Sequence, residues 1–458
     1  MLDQNTFIEK TLLRLLDEKK YRSLRDILAT MNPSDLAWVC EQLDEVKLPL
    51  VFRLLPKELA AEAFVEMEPD LQELLIRGFS DTELREVLDE MFVDDAVNVV
   101  EEMPANVVRR ILAQAAPEMR TQINEILRYP EDSAGSIMTT EYVSLRPEMT
   151  VGEAILRIRR TGVDKETIYT CYVTQDRNLI GMVSVKDLLL CEDDETKISE
   201  IMEENVISVS THDDQEQVAK MFNKYNFLAL PVTDAEGRMV GIITFDDAMD
   251  VMEDEATEDM EVMAAMLPSD KPYAREKVME VVRRRIPWLL FLMLSSTFTG
   301  LIIAHFENAL AACTVLTAFI PMLMDTGGNS GSQSSVAVIR SLSLGEVEFK
   351  DLPKVIWKEI RVAVICGAIL SACNFLKMLV VDHFIMQNTA VTATVALVVS
   401  ITLFFAVLAA KTIGCSLPIL AQKIGLDPAV MAAPFITTIV DALSLLAYFA
   451  VASALLPM

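Results

Sequence analysis

Histidine and paired cysteine are what this sequence most lacks. Three of its 458 residues are His (His212, His305 and His383). None sits at a spacing that lets two imidazoles share an ion, which disfavours a His-based zinc site. The seven Cys (Cys40, Cys171, Cys191, Cys313, Cys366, Cys373 and Cys415) are scattered and form no CxxC. An odd, widely spaced set reads as reduced thiols facing a cytosol, not as a disulfide framework. There is no Walker A sequence, no nucleophile elbow and no catalytic His arrangement. The reading is therefore not an enzyme. The start, MLDQNTFIEK, has no apolar run, so the N-terminal half is expected to stay in the cytosol.

The first 270 residues are also short of positive charge. Of the chain's 40 Lys+Arg and 68 Asp+Glu, residues 271–458 hold 14 and 11, leaving 26 and 57 for residues 1–270. The two parts carry −31 and +3, which make up the net −28. A half this acidic repels nucleic acid, where affinity comes from Lys and Arg on phosphate. It also repels anionic lipid headgroups. Its natural partners are cations. Its content of Leu, Val, Met and Phe argues against full disorder.

The other half lacks charge over long stretches. Residues 286–305 and 384–410 carry none, 308–339 only Asp325, 362–381 only Lys377, and 428–458 only Asp441. A spanning helix needs about 20 apolar residues. Five spans are thus expected, with the termini on opposite sides. Arg283, Arg284 and Arg285 precede the first span. Arg340, Lys350, Lys354, Lys358 and Arg361 fall between spans two and three, and Lys411 and Lys423 between four and five. Positive charge marks the cytoplasmic side, so the N-terminus is expected inside the cell membrane and the C-terminus outside. Trp288 is an expected interface anchor.

Two features of this half carry chemistry. Asp441 stands alone in PFITTIVDALSLLAYF. A charged Asp near a bilayer centre costs about 2.5–3.5 kcal/mol on insertion scales, and such acids mark ion paths or partnered sites. The alternative is a protonated or hydrogen-bonded Asp inside the bundle. Residues 321–335, PMLMDTGGNSGSQSS, combine Pro321 and three glycines with Asn329, Gln333 and serines. Small residues let helices approach, and freed carbonyls can line a wet cavity. The alternative is a packing seam. No basic residue is expected at mid-depth of a span, which disfavours an anion path. Carboxylate, amide and carbonyl oxygens suit Mg²⁺, Ca²⁺ or Mn²⁺, and a wide polar path with few carboxylates suits hydrated Mg²⁺.

The acidic half holds two repeats. Residues 31–44, 55–68 and 91–104 each begin with a Pro or Asp turn and continue as an amphipathic helix, as stacked solenoid units do. Then IMTTEYVSL (137–145) recurs as IMEENVISV (201–209). Each copy leads to a helix, a strand ending at Val173 or Val232, and a second strand, GMVSVKDLL (181–189) or GIITFDDAM (241–249). The pattern resembles tandem CBS domains. In nucleotide-binding members the motif Gly-apolar-apolar-Ser/Thr-x-x-Asp holds ribose and phosphate. Here it is Ser184 with Asp187 and Thr244 with Asp247, and Tyr169 and Lys186 join the first as candidate nucleotide residues. Strand-to-helix capping is the other reading. Asp247, Asp250, Asp254 and Glu258 follow on one helix face, where like charges repel unless a divalent cation intervenes. Residues 271–285, KPYAREKVMEVVRRR, read as a basic amphipathic helix leading into the first span.

Together these features resemble the MgtE-type magnesium channels along essentially the whole chain. The GGNxGxQ segment and DPAVMAAPFITTIVD (427–441) carry the resemblance most specifically. It implies a mainly α membrane protein: five transmembrane helices per subunit, preceded by an α-helical repeat domain and an α/β tandem CBS module. The expected boundaries are 1–130 for the acidic helical repeat, 131–200 and 201–262 for the CBS domains, 263–285 for a linking helix and 286–458 for the pore domain. It implies a homodimer in the cell membrane that admits Mg²⁺ passively, with Asp441, Asn329 and Gln333 at the pore. It implies cytosolic Mg²⁺ sensing at Glu62, Asp94, Asp214, Glu216, Asp247, Asp250, Glu255, Glu258 and Asp259, and modulation by ATP at the CBS module. Asn226 stands where some relatives carry an acid, and the resemblance gives Asp325 no role. The competing readings are a transporter of Mn²⁺, Co²⁺ or Ca²⁺ on the same scaffold, and a non-conducting nucleotide- and Mg²⁺-sensing membrane regulator.

Overall fold

The computed structural model describes residues 2–269, 273, 276–431 and 433–456. The chain divides into two compact units, Met1–Met252 and Glu253–Met458.

The first unit begins with ten short helices, α1 to α10, between Leu2 and Ile126. Proline sets many of their starts. Pro33, Pro69 and Pro117 occupy the first turn of their helices, where a missing N–H costs nothing. Ser80 and Glu83 close a capping box on α7 (Asp81–Leu88). The expected repeats appear as α3 (Pro33–Glu41), α5 (Lys57–Val65) and α8 (Val93–Glu102).

Two three-stranded sheets follow, β1 (Ser144–Leu145), β2 (Thr170–Gln175) and β3 (Asn178–Ser184), then β4 (Val209–Ser210), β5 (Ala229–Thr233) and β6 (Met239–Thr244). In each the first pair is parallel and the second antiparallel. The second strands stop at Ser184 and Thr244. Residues 185–189 and 245–249, read as strand from sequence, are helical instead. Ser184 accepts the Asp187 N–H and so starts α12 (Val185–Leu190), while α15 (Phe245–Met263) starts directly after Thr244. The copies differ in one connector. Eight residues, 162–169, join α11 (Val151–Thr161) to β2, whereas three, 226–228, join α14 (Gln215–Tyr225) to β5. One apolar core runs from the helical repeat into the second CBS copy, through Leu36, Phe64, Val97 and Ile123 to Val218, Phe222 and Ile243. The first copy has its own core.

In the second unit, α15 ends at Met263 and the next helix, α16, starts at Val278 and runs to His305. The expected linking helix 263–285 is therefore not one helix. Its residues 270–272, 274 and 275 lie outside the described residues. After α17 (Glu307–Ala312) come α18 (Ile320–Ser343), α19 (Leu352–Lys377) with a π-helical extension Met378–Ile385, α20 (Ala393–Lys423) and α21 (Ala433–Leu455).

Among the described residues four helical stretches are long and apolar enough to cross a membrane: Val278–His305, Phe349–Ile385, Ala393–Lys423 and Pro428–Leu455. The remaining expected span, 308–339, overlaps α18, which is not among these four. Its 24 residues reach about 36 Å, but its Gly, Ser, Asn and Gln content keeps it out of that set. Helix α20 is the buried centre of this unit, packed by α18, α19 and α21.

Candidate functional site

The helix-to-CBS junction of the first unit gathers carboxylates. Helix α8 starts without a side-chain cap of its own, and its first turn carries Asp94 and Asp95. Its orphan N–H at Val93 donates to Glu141 Oε2 at 3.2 Å, so a residue 48 positions away does the capping. Glu141 is held in turn by Thr139, a buried residue whose backbone pairs with Ile242 of β6. The longer connector of the first CBS copy brings in Glu166, whose N–H donates to the Glu141 carbonyl at 3.0 Å. Oxygens of Asp94, Glu141 and Glu166 lie within 4.8 Å of one another. Asp247 joins them electrostatically from the start of α15, with Asp246 beside it.

These groups are held where carboxylates are least willing to ionise. Burial, then the neighbouring Glu141 and Asp246 charges, push Asp94 up to about 6. Burial, with Asp94 and Asp247 beside it, pushes Asp95 up to about 8. Glu166 is pushed up to about 9 by burial and the facing Asp94, Asp95 and Asp247. Asp247 rises to about 7 for the same reasons, although Thr244 Oγ1 donates to it at 2.5 Å. Glu166 Oε2 is buried with no hydrogen-bond partner. Oxygen ligands converging at this spacing could hold a hard cation, and they cost free energy when ionised without one. Beside it lies a cavity of about 420 Å³ that shares Asp95 and Glu141 and is also lined by Glu58, Glu62, Asp89 and Glu90.

The membrane half organises the Gly-Asn segment by face. On α18, Gly327, Gly328, Ser330, Gly331, Ser334 and Ser335 are buried, while Asp325, Asn329 and Gln333, at four-residue spacing, are exposed. The glycines explain the buried face. A Cβ on Gly328 would stand 2.9 Å from Thr437 Cγ2, and one on Gly331 would stand 2.8 Å from Ile436 Cγ2. A Cβ on Gly414 would collide with the Gly331 carbonyl, so α18 and α20 cross backbone to backbone. Ser335 Oγ donates to the Met431 carbonyl at 2.9 Å and ties α18 to the turn before α21. Asp427 caps that turn at the Ala429 N–H. Asp441 is half-buried on α21.

Comparison with known proteins bears on both regions. Residues 31–132 match the MgtE intracellular N domain, 134–192 and 198–254 the CBS domain, and 320–451 the MgtE divalent cation transporter model. A magnesium transporter MgtE of Thermus thermophilus is 36% identical over 450 residues, 97% of this chain and 98% of that one. The chain belongs to the MgtE magnesium transporter family. The Bacillus subtilis magnesium transporter MgtE is 32% identical over 98% of each chain. A crystal structure of the cytosolic domain of the Mg²⁺ channel MgtE in complex with ATP matches with a TM-score of 0.51 at 38% identity, over 53% of this chain and 99% of that one. The family is one of transporters, with cytosolic N and CBS domains and a helical C-terminal part.

The sensor residues implied by the MgtE resemblance do not all meet. Asp94 and Asp247 share the cluster, and Glu62 lines the adjoining cavity. Asp214 instead caps α14 at the Gln217 N–H, and Glu216 pairs with Lys220 at 2.6 Å. Asp250, Glu255, Glu258 and Asp259 lie along α15. Asn226 ends α14 with a left-handed φ of 55°, a conformation that Asn tolerates. Sequence reasoning missed Asp95, Glu141 and Glu166. Glu141 sits in the repeated IM motif, and the longer first connector was a signal for Glu166.

The candidate nucleotide residues converge at the first CBS copy. The Val185 N–H donates to the Tyr169 carbonyl at 3.0 Å, and Ser184 Oγ donates to Asp187 Oδ2 at 2.5 Å. Tyr169, Lys186 and Asp187 are exposed.

Lys411 corrects the sequence reading. It is not in a cytoplasmic loop but inside α20, 6% exposed. Its Nζ donates to Ser334 Oγ at 3.2 Å, and Ser334 Oγ donates to Glu359 Oε2 at 2.6 Å. The hydroxyl links a buried cation to a carboxylate across three helices, which is what lets α20 carry it.

Proposed function

We propose that this chain is a Mg²⁺-selective channel for passive magnesium uptake, working as a homodimer in the cell membrane and closed by cytosolic Mg²⁺. In this reading five helices of each subunit (α16, α18, α19, α20 and α21) span the bilayer, with the N-terminus cytoplasmic and the C-terminus outside. The observation that carries it is the exposed polar face of α18. A spanning helix that buries glycine and serine and turns Asn329 and Gln333 outward needs a wet path to face. Asp441 supplies negative charge to that path. Amide and carboxylate oxygens act on an ion that keeps its water, as Mg²⁺ does.

The cytosolic cluster is the proposed sensor. Mg²⁺ bound among Asp94, Glu141, Glu166 and Asp247 relieves their repulsion and so selects the conformation in which they are close. Helix α15 carries Asp247 near one end and, at the other, Val262 and Met263, which pack on Ile339 and Ala429. It is the proposed link to the gate, and Asp250, Glu255, Glu258 and Asp259 along it are proposed as further Mg²⁺ ligands. Because the cytosolic domain of a relative is described in complex with ATP, Tyr169, Ser184, Lys186 and Asp187 are proposed to take an adenine nucleotide.

The test is Mg²⁺ flux into proteoliposomes holding the wild type or Asp441→Ala, with low Mg²⁺ on the cytosolic face. Flux in the wild type that is lost or made unselective in the variant is expected. No wild-type flux from an intact dimer points to a regulator, and a preference for Mn²⁺, Co²⁺ or Ca²⁺ in competition points to another cargo.

A further inference from the structure

Asp325 has no role in the chemistry derived so far. It is exposed on α18, four residues from Asn329 and eight from Gln333, on the same face. An exposed carboxylate in a spanning helix does not face lipid, because hydrocarbon gives its charge no partner. Lys377 and Lys411 are engaged elsewhere, Lys377 with Asp382 at 2.9 Å and Lys411 with Ser334. Among the described residues neither Asp325 nor Asp441 has an ion-pair or hydrogen-bond partner.

The glycine contacts fix the register of α18 on α21. Gly331 abuts Ile436 and Val440, Gly328 abuts Thr437, and Gly327 abuts Val440 and Ser444. The helices run antiparallel, and Asp441 falls within one turn of Asp325, about 5 Å along the axis. At the same crossing Ser444 Oγ, 3.0 Å from where a Gly327 Cβ would stand, is buried with no hydrogen-bond partner. Two carboxylates without partners on facing helices, beside a hydroxyl left unsatisfied at the same crossing, suit a hydrated divalent cation, whose water can donate to carboxylate oxygens.

We propose that Asp325 is a second cation-binding carboxylate of the ion path. With Asp441 it forms a two-carboxylate site for a hydrated divalent cation at the crossing of α18 and α21. It sets the preference for divalent over monovalent ions, because a doubly charged ion gains twice from each carboxylate. The inference rests on the channel reading above.

The experiment uses the full chain in proteoliposomes and measures Mg²⁺ flux against Mg²⁺ concentration, together with Na⁺ leak, for wild type, D325N, D325E and D441N. D325N is expected to raise the half-saturating Mg²⁺ about tenfold, the effect of removing one charge near a divalent ion. It is also expected to raise the Na⁺ leak, while D325E stays close to wild type. Wild-type saturation and selectivity in D325N, beside a D441N that loses flux, would overturn this proposal and leave the channel standing. Equal damage from D325N and D325E overturns it too, since charge would then not be what matters. Unchanged flux in D441N and D325N alike overturns the channel reading as well. If D325N does not assemble, D325S takes its place under the same criteria.

Discussion

The two CBS copies carry one motif to two ends. Ser184 donates to Asp187 and Thr244 to Asp247, both at 2.5 Å, and in both a strand gives way to a helix at that hydroxyl. The surroundings differ. Asp187 is open to solvent beside the exposed Tyr169, whereas Asp247 is half-buried and faces Asp94. The motif therefore fixes a local cap, and on the proposed function what packs over it decides what it binds. An open copy offers a hydroxyl and carboxylate to a ligand such as a ribose. A covered copy, pressed against other acids, offers a site for a divalent cation.

The strongest way to break this contrast is to neutralise the covered carboxylate. In the cytosolic fragment 1–270, Mg²⁺ at a hundredfold excess over its dissociation constant is expected to stabilise by about 2.7 kcal/mol. For a domain of this size that raises Tm by roughly 5–10 °C. Asp247→Asn is expected to raise the Tm measured in EDTA, because it removes repulsion, and to lose most of the Mg²⁺-induced rise. Asp187→Asn is expected to change neither. Thermal melts with and without Mg²⁺ decide it, and a D247N fragment that still gains the full Mg²⁺ shift removes Asp247 from the sensor.

Proton competition sharpens the same contrast. Asp94, Asp247, Asp95 and Glu166 stand at about 6, 7, 8 and 9, all above their unfolded values. A raised carboxylate binds protons in the folded state that the unfolded chain has released. Its contribution is therefore lost as pH rises through the folded value. Without Mg²⁺ the fragment is expected to melt several degrees lower at pH 9 than at pH 6. With Mg²⁺ present the slope should flatten, since the ion replaces the protons. A metal-free Tm that climbs from pH 6 to pH 9 contradicts the cluster.

Much of this was legible in the sequence, because membrane and repeat signals are long. A 27-residue uncharged run and a repeated IM motif survive any error in boundaries. The Gly-Asn segment announced close helix contact, and the structure divides it by face, with glycines inward and Asn329 and Gln333 outward. Glu141 and Glu166 were not legible. They are single acids in connectors, and only the fold brings them to the start of α8 from 48 and 73 positions away. Lys411 misled for a related reason. A lysine near the end of an apolar run reads as a cytoplasmic flank, and its buried partners, Ser334 and Glu359, lie on other helices. Asp214 and Glu216, implied by the resemblance alone, have local partners in the chain. In the HDDQEQ run Asp214 caps the helix start and Glu216 forms an i,i+4 pair with Lys220.

The smallest expected effect lies on the open copy. Asp187 is positioned by Ser184 and touches no other acid of the cluster, so its loss should leave Mg²⁺ stabilisation intact and reduce only nucleotide binding. A carboxylate that accepts two ribose hydroxyls contributes hydrogen bonds to a charged group, each worth about 1.5–3 kcal/mol at most. Solvent exposure reduces that, so Asp187→Asn is expected to weaken ATP binding by about three- to tenfold. Asp247→Asn should leave it unchanged. Titration calorimetry of the 1–270 fragment with ATP, run at fixed Mg²⁺, separates the two. Equal weakening by both variants would mean that the nucleotide spans both copies, and that burial does not divide their ligands.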